Sequence, residues 1–277
     1  MFRFAQHDSA IEEVDSSDLT NMLPSALEHV QEIAGRSDRV AVFLDYDGTL
    51  TRIVSHPENA CLADSMRQTL RELAARAPVA ILSGRDLDDV RSRVEIDDIV
   101  YAGSHGFDIA GPHELRMQMA TEFLPQLDMA ERELHDALDI IAGALVERKR
   151  FSIAVHYRNV NENDVPEVQR AVDAVAARHP ELRRIDGKKV YELLPNVDWD
   201  KGKAVLWLLP TLHFEGANVR PIYIGDDSTD EDAFRVLGQR GVASLVSEQS
   251  QPTAASYSLS DPREVECFLR ALAGCLT

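Results

Sequence analysis

Two pairs of acids stand where apolar runs end. Arg39-Val40-Ala41-Val42-Phe43-Leu44 leads into Asp45-Tyr46-Asp47-Gly48-Thr49, and Arg220-Pro221-Ile222-Tyr223-Ile224 leads into Gly225-Asp226-Asp227. Carboxylates at the end of a core strand repel one another and lose hydration, and a bound cation offsets both costs. All-oxygen donors suit magnesium, which keeps some waters and takes a substrate phosphate into its octahedral shell. Asp45, Asp47 and Asp226 are therefore candidate metal acids, with Mg2+ as the candidate ion. Zinc is disfavoured because no His or Cys ligand set is evident. Ser83 and Thr49 offer hydroxyls, and Lys201 offers a cation just before a helix. Together they suit a phosphoryl group on whose oxygens charge develops. Gly84 and Gly202 let backbone approach such an anion. His105 also follows a core strand. Singly, each has an ordinary explanation: turn acids, a helix cap at Ser83, a solvated Lys201.

The elements that must position these residues alternate. Val40–Leu44 reads as a buried strand. A helix is expected over 62–76, a strand over 79–82, a helix from Asp86 carrying Val90 and Val94, and a strand over 99–102. Such α/β alternation implies a parallel central sheet covered on both faces. Ligands bind beyond the carboxyl ends of its strands, where Asp45, Ser83 and His105 lie. The rhythm changes after Gly111-Pro112. Apolar spacing from Leu115 through Met119, Leu127, Leu134 and Leu138 to Ile141 predicts one long amphipathic helix. Strands follow near 143–148 and 151–158, then a helix over 165–177. A hairpin spans 184–185 and 189–194, turning at Asp186-Gly187. This α+β unit, 113–196, is expected as an insertion between a first core part, 39–112, and a second, 197–277. The second part brings a helix over 203–212, a strand over 221–224, a helix over 230–237, a strand over 241–246 and a closing helix over 262–273. Residues 1–38 are expected to be a leader with a short helix over 23–33.

Composition narrows the function classes. The 277 residues carry 47 acidic and 29 basic side chains, a formal net charge of −18. That surface disfavours nucleic acid and anionic membranes as partners, yet permits a small anion in a local basic pocket. No apolar run approaches a membrane span. Met1 to Thr20 is acidic and polar, so no secretory signal is expected. Cys61, Cys267 and Cys275 are odd in number and widely spaced, which disfavours a disulfide framework. They are expected as small hydrophobes in reduced, cytoplasmic surroundings. Nothing in the sequence identifies a protein partner.

Four motifs in order carry a resemblance. Asp45-Tyr46-Asp47-Gly48-Thr49-Leu50, Ser83-Gly84-Arg85, Lys201-Gly202 and Gly225-Asp226-Asp227-Ser228-Thr229-Asp230 resemble those of the haloacid-dehalogenase-like (HAD) phosphohydrolase superfamily. Further stretches make the chain similar, within it, to the trehalose-phosphatase family. They are Gly103-Ser104-His105-Gly106, Glu147-Arg148-Lys149, His156-Tyr157-Arg158 and Gly187-Lys188-Lys189-Val190-Tyr191-Glu192, with the run from Gly225 to Phe234. The resemblance spans about 38–247. It implies a Rossmann-like HAD core, an inserted α/β cap and magnesium-dependent hydrolysis of trehalose 6-phosphate.

By that resemblance Asp45 is the nucleophile that forms an aspartyl-phosphate. Asp47 is the general acid and then base. Ser83 and Lys201 hold phosphoryl oxygens. Asp226 holds magnesium with Asp45 and the backbone carbonyl of Asp47, supported by Asp227 and Asp230. Thr49, Gly84, Arg85, His105 and Gly106 fall on the substrate side of the core. Glu147, Lys149 and Glu192 of the cap would bind sugar hydroxyls, although by spacing alone a charged edge strand explains them as well. Arg52 and Leu193-Leu194 depart from the family pattern at positions outside the phosphoryl chemistry. Another glycosyl phosphate, such as a glucosylglycerol phosphate, would use the same four motifs. A non-catalytic sugar-phosphate sensor is disfavoured, because the nucleophile, the acid/base and the metal acids are all present.

Overall fold

The computed structural model describes residues 23–35, 39–54, 56–214 and 218–276. The expected leader falls outside them as far as residue 22. Helix α1 is Val30–Gly35, shorter than the expected 23–33. Its would-be first turns are held in other ways: Ser25 bridges Ser258, and the Ala26 amide donates to the Ser258 carbonyl at 2.9 Å.

The chain then alternates as the apolar pattern requires: β1 (Arg39–Leu44), α2 (Asp64–Ala74), β2 (Val79–Leu82), α3 (Leu87–Val94) and β3 (Val100–Gly103). A short hairpin follows, β4 (Asp108–Ala110) and β5 (Arg116–Gln118). The next unit comprises α4 (Leu124–Leu138), β6 (Leu145–Arg148), β7 (Ile153–His156), α5 (Val165–Arg178), β8 (Leu182–Gly187) and β9 (Val190–Pro195). The chain closes with α6 (Lys201–Thr211), β10 (Val219–Gly225), α7 (Glu231–Leu237), β11 (Val242–Val246), β12 (Tyr257–Leu259) and α8 (Pro262–Cys275).

The large sheet has the order β12-β11-β10-β1-β2-β3-β4-β5. Strand β1 lies at its centre, parallel to β10 and β2, with Leu44 beside Ile224 and Ile81. Its continuous apolar run follows from burial on both faces. Val40, Val42 and Leu44 pack into a cluster with Leu70, Phe268 and Leu272, while Ala41 and Phe43 join Val205, Leu208 and Phe234 on the other side. The two acid-bearing strand ends are thereby set side by side. The second sheet, β6-β7-β9-β8, is antiparallel throughout. Leu127, Leu134, Val155, Val168 and Leu193 form its own core beneath α4 and α5. Phe107, Phe151 and Leu194 cluster between the two units.

Several expectations are corrected. The central strands from β12 to β3 are parallel as expected, and an antiparallel hairpin, β4 and β5, extends the sheet at one edge. The long helix does not start at Leu115. Residues 116–118 pair with β4, so the core sheet extends past Pro112, and the helix begins at Leu124 after Ala120 adopts a left-handed φ of 58°. The helical spacing of Leu115 and Met119 is overridden by strand pairing of Met117 with Ile109. The β8–β9 turn lies at Lys188-Lys189, not Asp186-Gly187. Strand β12 was not expected. All three cysteines are free and exposed rather than buried. Among the described residues no helix is long and apolar enough to cross a membrane.

Candidate active site

Asp45 sits at the end of β1, and its amide donates to the Ile224 carbonyl of β10 at 2.9 Å. This bond seats it beside Asp226, which follows β10. Gly48 makes the approach possible: its φ is +92°, and a Cβ there would lie 2.1 Å from an Asp226 carboxylate oxygen. Lys201 opens α6, whose first turn is capped by Asp200 accepting from the Lys203 amide at 2.8 Å. Its Nζ donates to Asp45 and to Asp230, each at 2.7 Å. Asp230 is completely engaged. One oxygen takes Lys201 and the Tyr223 hydroxyl, and the other takes the amides of Asp226 and Asp227 at 3.0 Å. It therefore organises the floor rather than offering an open coordination position.

The carboxylate oxygens of Asp45, Asp226 and Asp230 lie within 4.8 Å of one another, all buried. Asp45 and Asp230 thus share one buried lysine, and Asp226 is paired with Lys188 instead. Burial pushes Asp45 well above the usual carboxylate range. Lys201 draws it down, while Asp230 and Asp226 push it up again. Burial, countered by Lys188 and reinforced by Asp230, raises Asp226 to about 6. Burial works against the charge on Lys201, but Asp230 and Asp45 outweigh it and hold the lysine protonated. The buried Oδ1 of Asp226 has no hydrogen-bond partner. Surplus negative charge and an orphaned carboxylate oxygen fit a hard divalent cation.

Asp47 faces elsewhere. Its two oxygens accept from Arg85 Nε at 2.6 Å and Nη2 at 2.8 Å, a bidentate pair, while Arg85 Nη1 bonds Asp89 at 2.8 Å. The expected metal set of Asp45, Asp47 and Asp226 therefore converges through its first and last carboxylates, with the Asp47 carboxylate held by Arg85. Asp45, Asp47, Gly84, Arg85, Lys201 and Asp226 line the main cleft, as does Asp227, whose carboxylate accepts from the Ser228 amide at 2.6 Å. Ser83, Thr49, Gly106 and Asp230 do not. Ser83 Oγ accepts from the Arg85 amide at 3.1 Å, the Gly106 carbonyl accepts from Trp199 at 2.9 Å, and the buried Thr49 hydroxyl is unpartnered.

The opposite wall comes from the second unit. Glu192 on β9 is buried and accepts from Lys149 at 3.0 Å, Ser152 at 2.5 Å and His105 at 2.9 Å. Burial opposes the charge on Glu192, yet Lys149 and His105 prevail and hold it well below the ordinary carboxylate range. His105 has a φ of 57° and packs so close to Gly84 that a Cβ there would meet its ring at 2.9 Å. Glu147 pairs with His156 at 2.7 Å. Glu147, Lys149, Glu192 and His105 all line the cleft.

Two participants escaped the sequence reading. Lys188, at the β8–β9 turn, donates to the Asp226 carboxylate and to its backbone carbonyl. Its signal was its place in the stretch 187–192 that carries the family resemblance, which assigned Lys188 no role. Tyr223 looked like any apolar strand residue, yet its hydroxyl anchors Asp230.

Comparison with known proteins agrees with this geometry. The trehalose-phosphatase family model matches residues 43–263. Trehalose-phosphate phosphatase B of Arabidopsis thaliana is 40% identical over 285 residues, covering 98% of this chain and 76% of the relative. Trehalose 6-phosphate phosphatase RA3 of Zea mays is 44% identical over 269 residues, covering 90% and 74%. The solved C-terminal domain of Candida albicans trehalose-6-phosphate phosphatase superposes with a TM-score of 0.78 at 21% identity, covering 92% of this chain and 99% of that one, which shows the shared fold. The Aspergillus fumigatus enzyme superposes at 0.62 with 24% identity, covering 91% and 99%. The chain belongs to the trehalose-phosphatase family of HAD-type phosphohydrolases, enzymes that hydrolyse phosphorylated sugars.

Proposed function

We propose that this enzyme hydrolyses trehalose 6-phosphate to trehalose and phosphate through an aspartyl-phosphate on Asp45, with magnesium as its cofactor. The observation that carries the reading is the floor of the cleft: three buried acids with oxygens within 4.8 Å of one another, two of them on Lys201, and an unpartnered Asp226 oxygen. Asp45, Asp226 and the Asp47 backbone carbonyl would hold the ion, which when bound offsets charge on the phosphoryl oxygens and on the nucleophile.

The protein's own groups divide the remaining work. An Asp45 oxygen attacks phosphorus as the bond to the sugar oxygen breaks, and protonated Asp47 gives its proton to that departing oxygen. Asp47, now ionised, takes a proton from water as the water oxygen attacks the acyl-phosphate phosphorus. The bond to Asp45 breaks and phosphate leaves. Arg85 donates to both Asp47 oxygens, so Asp47 must turn one oxygen from this bidentate grip to present a proton to the departing oxygen. Lys201 lies 2.7 Å from Asp45, which suits it to neutralising phosphoryl charge beside the nucleophile. The buried Ser83 hydroxyl, next to cleft-lining Gly84, would have to turn outward to serve the same oxygens. Glu147, Lys149 and Glu192 take sugar hydroxyls. Asp227 and Asp230 keep the acidic loop in place. The odd number and wide spacing of the three cysteines are the ground for a cytoplasmic location. The acidic surface accords with partners other than nucleic acid and membrane.

Phosphate release from a panel of sugar phosphates, with and without magnesium, tests the reading. Strong preference for trehalose 6-phosphate and dependence on magnesium are expected. Comparable turnover of a glucosylglycerol phosphate would shift the substrate to glycosyl phosphates at large, and no release from any member would leave only a sensor.

A further inference from the structure

Two lysines reach the acidic floor from different units. Lys201 comes from α6, and its side chain is 3% exposed between two carboxylates. Lys188 comes from the β8–β9 turn of the cap and is 47% exposed, with its ammonium on Asp226. The two contacts differ in what holds them. Lys201 is fixed by buried acids on two elements, whereas Lys188 reaches the core on a long, half-exposed stem. Few other bonds tie this turn to the core: the Ser228 hydroxyl donates to the Asp186 carbonyl at 3.3 Å. The Lys188 carbonyl is held within the cap, accepting from Arg158 at 2.7 Å. Lys189 points away, its ammonium 5.9 Å from the Tyr157 ring centroid.

Asp226 is the acid on which a divalent cation most depends, because its other oxygen is buried and unpartnered. A carboxylate already shared with an ammonium has less charge to give a second cation, and the two positive centres repel at this range. We propose that Lys188 is an exchangeable counter-ion of Asp226, which holds the β8–β9 turn against the core until a divalent cation takes that acid and releases the turn. The inference rests on the magnesium reading and adds a linkage to it: the ion that arms the floor also frees part of the cap. Coupling is reciprocal, so pulling the turn away must strengthen magnesium binding by the same factor.

Magnesium titrated calorimetrically into the full, substrate-free chain tests this. Lys188→Met binds magnesium about tenfold tighter than the parent, the size expected for one exchangeable ion pair at a buried carboxylate. Lys188→Arg, which keeps the charge, stays near the parent, and Lys189→Met leaves the affinity unchanged. In the parent, magnesium also speeds amide exchange across residues 186–190. Equal or weaker binding by Lys188→Met overturns the inference and leaves the magnesium reading standing. No binding by any of the four proteins removes both. If Lys188→Met does not fold, exchange in the parent decides, and an unchanged rate across 186–190 overturns the inference.

Discussion

The cleft has two charged clusters, one on each wall, and they are balanced differently. On the core side, Asp45, Asp226 and Asp230 crowd together, the first and last on buried Lys201 and Asp226 on Lys188 from the cap. On the cap side, Glu192 is met by Lys149, His105 and Ser152, and Glu147 by His156. Burial raises Asp45 and Asp226, while Glu192 is held low despite equal burial. A cluster left with surplus charge is poised for a ligand that supplies the missing sign. A cluster that satisfies itself holds its shape, and a substrate meets it as a preformed surface. Glu192 also ties β9 to His105 of the core, so it fixes the wall as well as lining it.

Removing one acid from each wall separates the two behaviours. Asp45→Asn is expected to lower kcat about 10⁴-fold or more, as loss of a covalent nucleophile does. Its melting temperature should hold or rise, because Lys201 keeps Asp230 and the crowding is relieved. Steady-state kinetics and calorimetry on the same preparation check both; an active variant that melts early would reverse the assignment. Glu192→Gln is expected to do the opposite, costing about 3 kcal/mol of stability because Lys149 stays buried without its anion. The sign of its pH dependence follows from the lowered pKa. Glu192 contributes stability above the ordinary value of 4.5 and loses it as pH falls through the folded-state value. The gap between parent and variant is therefore full at pH 7 and narrows in acid below 4.5, which melting curves across pH will show.

The core wall was more legible in the sequence than the cap wall, for a local reason. Asp45 and Asp226 each terminate a continuous apolar run, and parallel topology obliges such ends to share one edge. Glu192 and His105 are bonded across the two units, and Lys188 meets Asp226 from the far side of an insertion. No periodicity within a segment reports such meetings. The helix expected from Leu115 failed because hairpin pairing of Arg116–Gln118 outcompeted a helical spacing. Strand β12, at three residues, is too short for alternation to mark. Glu147, Lys149 and Glu192 were readable as site residues only through family resemblance.

The contrast also predicts where magnesium acts. At a hundredfold excess over its Kd, the ion should stabilise the parent by about 2.7 kcal/mol. That increment should vanish in Asp226→Asn and persist in Glu192→Gln, since only the first removes a core acid. Scanning calorimetry with and without the ion reads it, and loss of the increment in Glu192→Gln would show the two walls to be one site energetically.

The smallest expected effect asks what keeps the core cluster poised rather than collapsed. Tyr223 is fully buried, and its hydroxyl gives Asp230 one of four donors. Burial and the neighbouring Asp230 push the tyrosine well above its ordinary pKa, so it stays a neutral donor throughout the working range. Without that hydroxyl, one Asp230 oxygen has Lys201 alone, and the lysine is drawn from Asp45 toward Asp230. Tyr223→Phe should therefore cost about 1 kcal/mol of stability, the worth of one buried hydrogen bond. It should lower kcat several-fold with KM unchanged, because Tyr223 touches Asp230 rather than the cleft. Denaturant melts and steady-state kinetics give the two numbers, and a raised KM with an unaltered kcat would mean that Asp230 shapes substrate binding instead of the charge at the nucleophile.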